Sequence, residues 1–320
     1  MSSPPPEDPT TAMASRLLRG AGMFLSGQEA FSCTLANTLA ASGDPGDEAL
    51  LARRRPVFET PMAGTGTTAA IDLNADLGEG LGVWKAGDDN RLLEIVTSAN
   101  VACGFHAGDP TIMRDVCAKA SAAGVTIGAH VGYRDLVGFG RRDLAVSQRD
   151  LRNETIYQIA ALDAMAVAEH AQVRYVKPHG ALYHRVSRSD EAAAALVQAI
   201  LDYNPGLEVL GAPGSALARQ CSEYGIRFRN EGFADRRYRD DGSLVERFTE
   251  GAILATPEAA AAQAVAIARH QQVHGTSGAS VPVAADSICV HGETPHAVDT
   301  AREVRASLIG AGVAVRAFAR

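Results

Sequence analysis

From about residue 70 onward the chain alternates short apolar, often β-branched runs with longer alanine-rich stretches of helical period. The apolar runs predict strands over residues 70–73, 99–103, 125–130, 174–177, 208–212, 226–230 and 287–291, with a weaker last one over 313–317. The stretches between them predict helices over 90–98, 111–123, 147–170, 190–203, 215–224, 257–273 and 295–311. Asp109-Pro110 and Thr256-Pro257 each set a capping residue before a proline in the first helical turn. Gly124 and Gly310 stand where helices end on a left-handed residue. Seven or eight β-α units with continuous strand hydrophobicity imply a parallel sheet covered by helices. No G-x-G-x-x-G opens the first unit, and the number of units suits closure. The expected fold class is therefore α/β, a TIM-like (β/α) barrel of seven strands over residues 69–320.

Residues 1–68 break this rhythm. MSSPPPEDPTT and GDPGDEALLARRRPVFETPMAGTGTT are rich in proline, glycine, threonine and charge. They read as a poorly ordered extension with a short helix over 15–25, an upstream start codon being the other source of such a segment.

Composition narrows the class further. The chain has 320 residues, 46% hydrophobic and 21% charged, enough to bury a full core. Its net charge of −7, without a basic stripe, argues against nucleic acid. No apolar run is long enough to span a membrane, and the proline-rich start lacks the profile of a signal peptide. The 5 cysteines are widely spaced with no C-x-x-C pair, which suits a reducing cytoplasm better than a disulfide scaffold or a thiolate zinc site.

The polar residues fall at the ends of the expected strands. The first runs into Asp72-Leu73-Asn74-Ala75-Asp76-Leu77-Gly78-Glu79. Four others end in a histidine with a glycine close by: Phe105-His106-Ala107-Gly108, His130-Val131-Gly132, Lys177-Pro178-His179-Gly180 and His291-Gly292. In a parallel barrel all carboxyl ends face one rim, where such barrels carry their active sites. One histidine after a strand is ordinarily a structural residue; four at equivalent places point to chemistry. His170 and His270 end long helices, where an imidazolium suits the dipole, and His274 follows in a loop. None of these three is assigned a role.

Period-2 spacing puts Asp72, Asn74 and Asp76 on one face. Neighbouring carboxylates raise one another's proton affinity, which suits an acid or base. They could equally bind a divalent cation, alone or with His106 and His130. Asp72 has an equally good reading as a loop brace, so Asp76 and Glu79 are the stronger catalytic candidates. Lys177, at the end of a buried strand, needs a carboxylate partner or an anionic substrate. Arg236 could recognise a carboxylate or phosphate through two parallel hydrogen bonds. No G-x-x-x-x-G-K-[ST] loop occurs, and His179 and His184 are spaced wrongly for a helical two-histidine zinc motif.

The segments IDLNADLGEG, SANVACGFHAGDP, TIGAHVGYRD, GFGRR, YVKPHGALYH, FADRRY and CVHGETPHA, in this order across about residues 70–318, resemble the LamB/YcsF family. The resemblance implies a barrel related to those of glycoside hydrolases and polysaccharide deacetylases. It implies the A subunit of a bacterial 5-oxoprolinase, with partner subunits B and C. The reaction would be ATP-dependent opening of 5-oxo-L-proline to L-glutamate, with ADP and phosphate released and Mg2+ accompanying the nucleotide. The matching polar positions are Asp72, Asn74, Asp76, Glu79, His106, Asp109, His130, Lys177, His179, Asp235, Arg236, Tyr238 and His291, with Glu293 departing from the pattern. Of these, Asp76, His106, His130, Lys177, His179 and His291 are expected to be catalytic. Asn74, Glu79, Asp109, Asp235, Arg236 and Tyr238 are expected to bind substrate. Within the catalytic set, Asp76 or His106 would serve as base, His179 or His130 as acid, and Lys177 with Arg236 would hold the anions. The competing expectations are an amidohydrolase or deacetylase with Asp76, His106 and His130 on a metal and no ATP, and a non-catalytic substrate-binding subunit.

Overall fold

The structure is a computed structural model that describes residues 70–294 and 296–319. The extension expected over 1–68, with its helix over 15–25, lies outside the described residues. The described chain opens with β1 (Ala70–Leu77), α1 (Asp89–Leu93), β2 (Ser98–Ala102), α2 (Pro110–Ala123), β3 (Thr126–Val131) and α3 (Gln148–Ala168). It continues through β4 (Val173–Pro178), α4 (Gly180–Arg188), α5 (Asp190–Tyr203), β5 (Glu208–Gly211), α6 (Ala216–Glu223) and β6 (Phe228–Phe233). Then come α7 (Pro257–His270), β7 (Gln272–His274), β8 (Ser280–Pro282), β9 (Ser287–Val290), α8 (Ala297–Gly310) and β10 (Ala314–Val315).

Strands β1, β2, β3, β4, β5, β6 and β9 pair in that order, all parallel, and β9 returns to β1 to close a seven-stranded barrel. β10 takes the first two residues of β1, Ala70 and Ile71, and β9 takes the same edge from Asp72 onward. The weak last strand is therefore real but stands outside the ring. Among the described residues no helix is long and apolar enough to cross a membrane.

The boundaries depart from expectation for local reasons. Helix α1 stops at Leu93 because residues from Ser98 onward pair with Asn74–Leu77 of β1. Helix α7 ends at His270, where Gln271 turns left-handed (φ 52°), and Gln272–His274 form a hairpin with Ser280–Pro282. His274, read as a loop residue, thus lies in a strand. Gly310 stays helical and the left-handed turn falls on Gly312 (φ 77°), whereas Gly124 (φ 67°) caps α2 as expected. Helix α4, which follows His179 directly, was not foreseen.

The larger departure concerns the strand interiors. Strand hydrophobicity is alternating, not continuous. Ile71, Leu73, Ala75 and Leu77 join the apolar core, while Asp72, Asn74 and Asp76 are buried among polar groups of other strands. Ser98 and Asn100 of β2, Tyr175 and Lys177 of β4, Glu231 of β6 and Ser287 of β9 complete a polar barrel interior. Branched apolar side chains ordinarily fill this space. Here hydrogen bonds fill it instead. Gly128 makes room: a Cβ there would overlap the Tyr175 ring, whose hydroxyl donates to Asn100 Oδ1 at 2.6 Å.

Candidate active site

The interior divides into two levels. At the lower one, Asp72 Oδ1 accepts from Thr97 Oγ1 at 2.6 Å and Ser98 Oγ at 2.7 Å, and its other oxygen accepts from Ser287 Oγ. Ser287 Oγ in turn accepts from Asn74 Nδ2 at 2.7 Å, and Asn74 Oδ1 accepts from Asn100 Nδ2 at 2.7 Å. Burial raises the Asp72 carboxyl to about 6 against the lowering pull of the three hydroxyls. Of its two sequence readings, the structural brace is the one the geometry gives.

One turn of pleat higher, Asp76 Oδ1 accepts from Lys177 Nζ at 2.9 Å and Asn100 Nδ2 at 2.8 Å, with His130 Nε2 at 3.4 Å. Burial pushes the Asp76 carboxyl up, but His130 and Lys177 outweigh it and hold it well below the usual range. Lys177 Nζ also meets Glu231 Oε1 at 2.8 Å and donates to Cys289 Sγ at 3.2 Å. Burial would lower this ammonium; Asp76, Cys289 and Glu231 keep it well above its ordinary value. Two carboxylates thus engage Lys177. Of the alternatives open from sequence, it takes the carboxylate partner rather than standing free for an anion.

Beside Asp76 the β1 loop carries Glu79, and three imidazoles surround it. His106 Nε2 is 3.2 Å from Glu79 Oε1, His179 Nδ1 3.4 Å and His130 Nε2 3.9 Å. The His106 and His179 rings stack at 3.7 Å with planes 4° apart. The loop after β3 closes over them. The Phe139 carbonyl accepts from His179 Nε2 at 2.9 Å, and Gly140 (φ 65°) passes so near that a Cβ would lie 2.7 Å from His106 Cβ. Burial raises the Glu79 carboxyl well above its usual value, reinforced by the charges of Asp76 and Glu293. Burial likewise pushes His106 and His179 well below the ordinary imidazole value. Two adjacent carboxyls driven in opposite directions are characteristic of acid–base sites.

Across the rim, His291 Nδ1 is 3.0 Å from Asp235 Oδ1, and the His291 N–H donates to Asp235 Oδ2 at 3.1 Å. Asp235, a partner of β9's end, is held below its usual value mainly by His291, against the effect of burial. The groups surround a cavity of about 500 Å³ at the carboxyl ends of the strands, lined by Asp76, His130, Lys177, His179 and His291. Its outer wall carries Arg141, Arg185, Arg188, Arg236 and Arg247. Arg141 and Arg247 both bind Glu293, while Arg236 donates to the Val245 carbonyl at 2.6 Å and leaves its buried Nε unpartnered.

Most residues singled out from sequence therefore converge, but Asp72 and Asn74 lie at the lower level and two more stand apart. Asp109 caps α2, accepting from the backbone N–H groups of Thr111, Ile112 and Gly82. Tyr238 is buried with its hydroxyl accepting from the Phe233 N–H at 2.8 Å. The trio Asp76, His106 and His130 is divided: the buried groups with metal-ligand composition are Glu79-His106-His130-His179 and Asp76-Cys289-His291. Sequence reading missed Glu231, Cys289, Asn100, Tyr183 and Arg247. Glu231 was within reach: it is the next residue after the strand read over 226–230, but ending that strand at 230 left it out.

Fold and site together define a seven-stranded (β/α) barrel with a histidine–carboxylate cluster at its carboxyl rim. Within that class, residues 71–320 match the LamB/YcsF family, and the chain belongs to it. The 5-oxoprolinase A subunit of Nocardia farcinica is 53% identical over 248 residues, spanning 78% of this chain and 99% of the relative. That of Streptomyces griseus is 53% identical over 249 residues, 78% of this chain and 100% of the relative. The crystal structure of a lactam utilization protein from Thermus thermophilus matches with a TM-score of 0.74 at 41% identity, covering 78% of this chain and 100% of that one.

Proposed function

We propose that this chain is the A subunit of a 5-oxoprolinase, a cytoplasmic complex with subunits B and C that opens 5-oxo-L-proline to L-glutamate at the expense of ATP. The observation that carries the reading is the identity of 53% to a 5-oxoprolinase A subunit over 99% of that relative's length. A five-membered lactam is an unreactive amide. Transfer of the γ-phosphoryl group to its oxygen, with ADP leaving, makes the carbon electrophilic. Water then adds, the C–N bond breaks as the nitrogen takes a proton, and a second water releases phosphate from the acyl phosphate that this leaves.

The cavity supplies a group for each need. Asp76, ionised and lining the cavity, is the base for water; His106 does not line it. His291 is the proton donor for the ring nitrogen, because Asp235 orients its Nδ1 side and Nε2 has no protein partner among the described residues. His130 and His179, the donors expected from sequence, each have one ring nitrogen on a main-chain carbonyl and the other turned to its neighbour's. The substrate carboxylate and the phosphates with their Mg2+ belong against the arginine wall, which includes Arg236.

A second reading, a metal-dependent amidohydrolase needing no nucleotide, is favoured by the Glu79-His106-His130-His179 group. Assay of 5-oxoproline-dependent phosphate and glutamate release by the chain alone and with its partner subunits separates the two. Equal phosphate and glutamate, requiring all three polypeptides, supports the first. Nucleotide-independent turnover abolished by chelator supports the second, and binding of 5-oxoproline without any catalytic dependence on this chain would leave it a purely substrate-binding component.

A further inference from the structure

We infer that Glu79, His130 and His179 form a divalent-cation site of the Zn2+ class, with the His106 ring stacked beside it, and that Asp76 lies outside its ligand set. Two main-chain carbonyls, which can only accept, fix the protonation of two rings. His130 Nδ1 lies 3.0 Å from the Lys177 oxygen and His179 Nε2 lies 2.9 Å from the Phe139 oxygen, so both nitrogens carry their hydrogen. In a neutral imidazole the opposite nitrogen is then a bare lone pair. Those two, His130 Nε2 and His179 Nδ1, face each other at 3.0 Å. Lone pairs at that separation repel unless an electrophile lies between them.

Glu79 Oε1 is directed at the same point, 3.4 Å from His179 Nδ1, 3.9 Å from His130 Nε2 and 3.2 Å from His106 Nε2. Ligands about 2.1 Å from a tetrahedral Zn2+ stand about 3.4 Å from one another. The observed spacings bracket that value. The two carboxylates differ in what answers their charge. Asp76 has the Lys177 ammonium at 2.9 Å. Glu79 meets no lysine or arginine among the described residues, and its Oε2 is buried without a partner. A buried carboxylate lacking a cation is the one that calls for a metal ion. The carbonyl bonds on the far sides of His130 and His179 are the outer support that metal-bound imidazoles ordinarily have. A bound cation would act as a Lewis acid beside the cavity.

The test uses the full chain, stripped with chelator and titrated with Zn2+ and Co2+. Bound metal is read by mass spectrometry and the Co2+ complex by its visible absorption. The expected result is one ion per chain, with Glu79→Gln and His179→Gln each weakening affinity at least about 100-fold and Asp76→Asn changing it less than about threefold. Circular dichroism of each variant separates misfolding from ligand loss, and His179→Gln carries the test should Glu79→Gln not fold. Wild-type chain binding no more ion than a protein-free control overturns the inference. So does loss of the ion in Asp76→Asn with retention in Glu79→Gln, and so does retention in both ligand variants. This site deepens the functional reading but fails separately: an ion bound by a chain whose complex leaves 5-oxoproline unchanged keeps the site and overturns the reading.

Discussion

The barrel interior holds two polar levels of similar composition and opposite character. Below, Asp72, Ser98, Asn74 and Ser287 answer one another's hydrogen bonds between neighbouring strands. Above, Glu79 Oε2, His106 Nδ1, Tyr183 Oη and Arg236 Nε are buried with no hydrogen-bond partner. Leaving a buried polar group unpaired costs about 1–3 kcal/mol, more if charged. A fold that completes the pairing at one level and leaves it incomplete at the next has reserved the second for something other than itself. The lower level holds the barrel together, and the upper one is the level we propose for substrate and cation.

The largest break in this division should come at Lys177, whose ammonium reaches both levels, Asn74 below and Asp76 above. Lys177→Met leaves Asp76 and Glu231 buried without their common cation, and urea unfolding should show a loss of about 3–5 kcal/mol. A stability change below about 1 kcal/mol would show that the pair is not held by this ammonium. Glu79→Gln sharpens the comparison from the other side. In the assembled complex it should lower turnover by about 10²–10³-fold, while the melting temperature stays within a few degrees of wild type.

Asp72 gives the lower level a pH signature. Its folded value of about 6 exceeds the ordinary 3.8, so the native state favours the protonated form. That contribution is complete below the unfolded value and is lost as pH rises through the folded one. Wild type should therefore lose about 2–3 kcal/mol of stability between pH 4 and pH 7 relative to Asp72→Asn, measured by denaturant unfolding across the range. Parallel stability curves for the two would refute this account of Asp72. The smallest effect should be at Asp109. As a helix cap it should cost about 1 kcal/mol on replacement by alanine and leave the KM for 5-oxoproline unchanged. A raised KM would restore the substrate-binding role expected from sequence.

Barrel closure and the convergence of His106, His130, His179 and His291 were legible from the chain, because each follows from where polar residues interrupt apolar runs. The N-caps at Asp109 and Thr256 were legible for the same local reason. What could not be read was pairing across strands. Lys177 looked like an anion receptor because its partners, Asp76 and Glu231, lie 101 and 54 residues away. The expected metal trio of Asp76, His106 and His130 joined neighbours in the strand pattern, but loop geometry sets Glu79 among the imidazoles and Lys177 on Asp76. Helix α4 went unseen because His179-Gly180 reads as the end of a strand, and Gly180 (φ 53°) instead opens a helix within the turn.

The measurement that bears most directly on the upper level as a lactam-opening site is glutamate and phosphate release from 5-oxo-L-proline and ATP by the chain assembled with subunits B and C. Wild-type complex should release the two in equal amounts, and complex carrying Asp76→Asn should fall at least about 10²-fold while assembling normally. Absence of 5-oxoproline-dependent release from the wild-type complex, or full turnover by the Asp76→Asn complex, would contradict it.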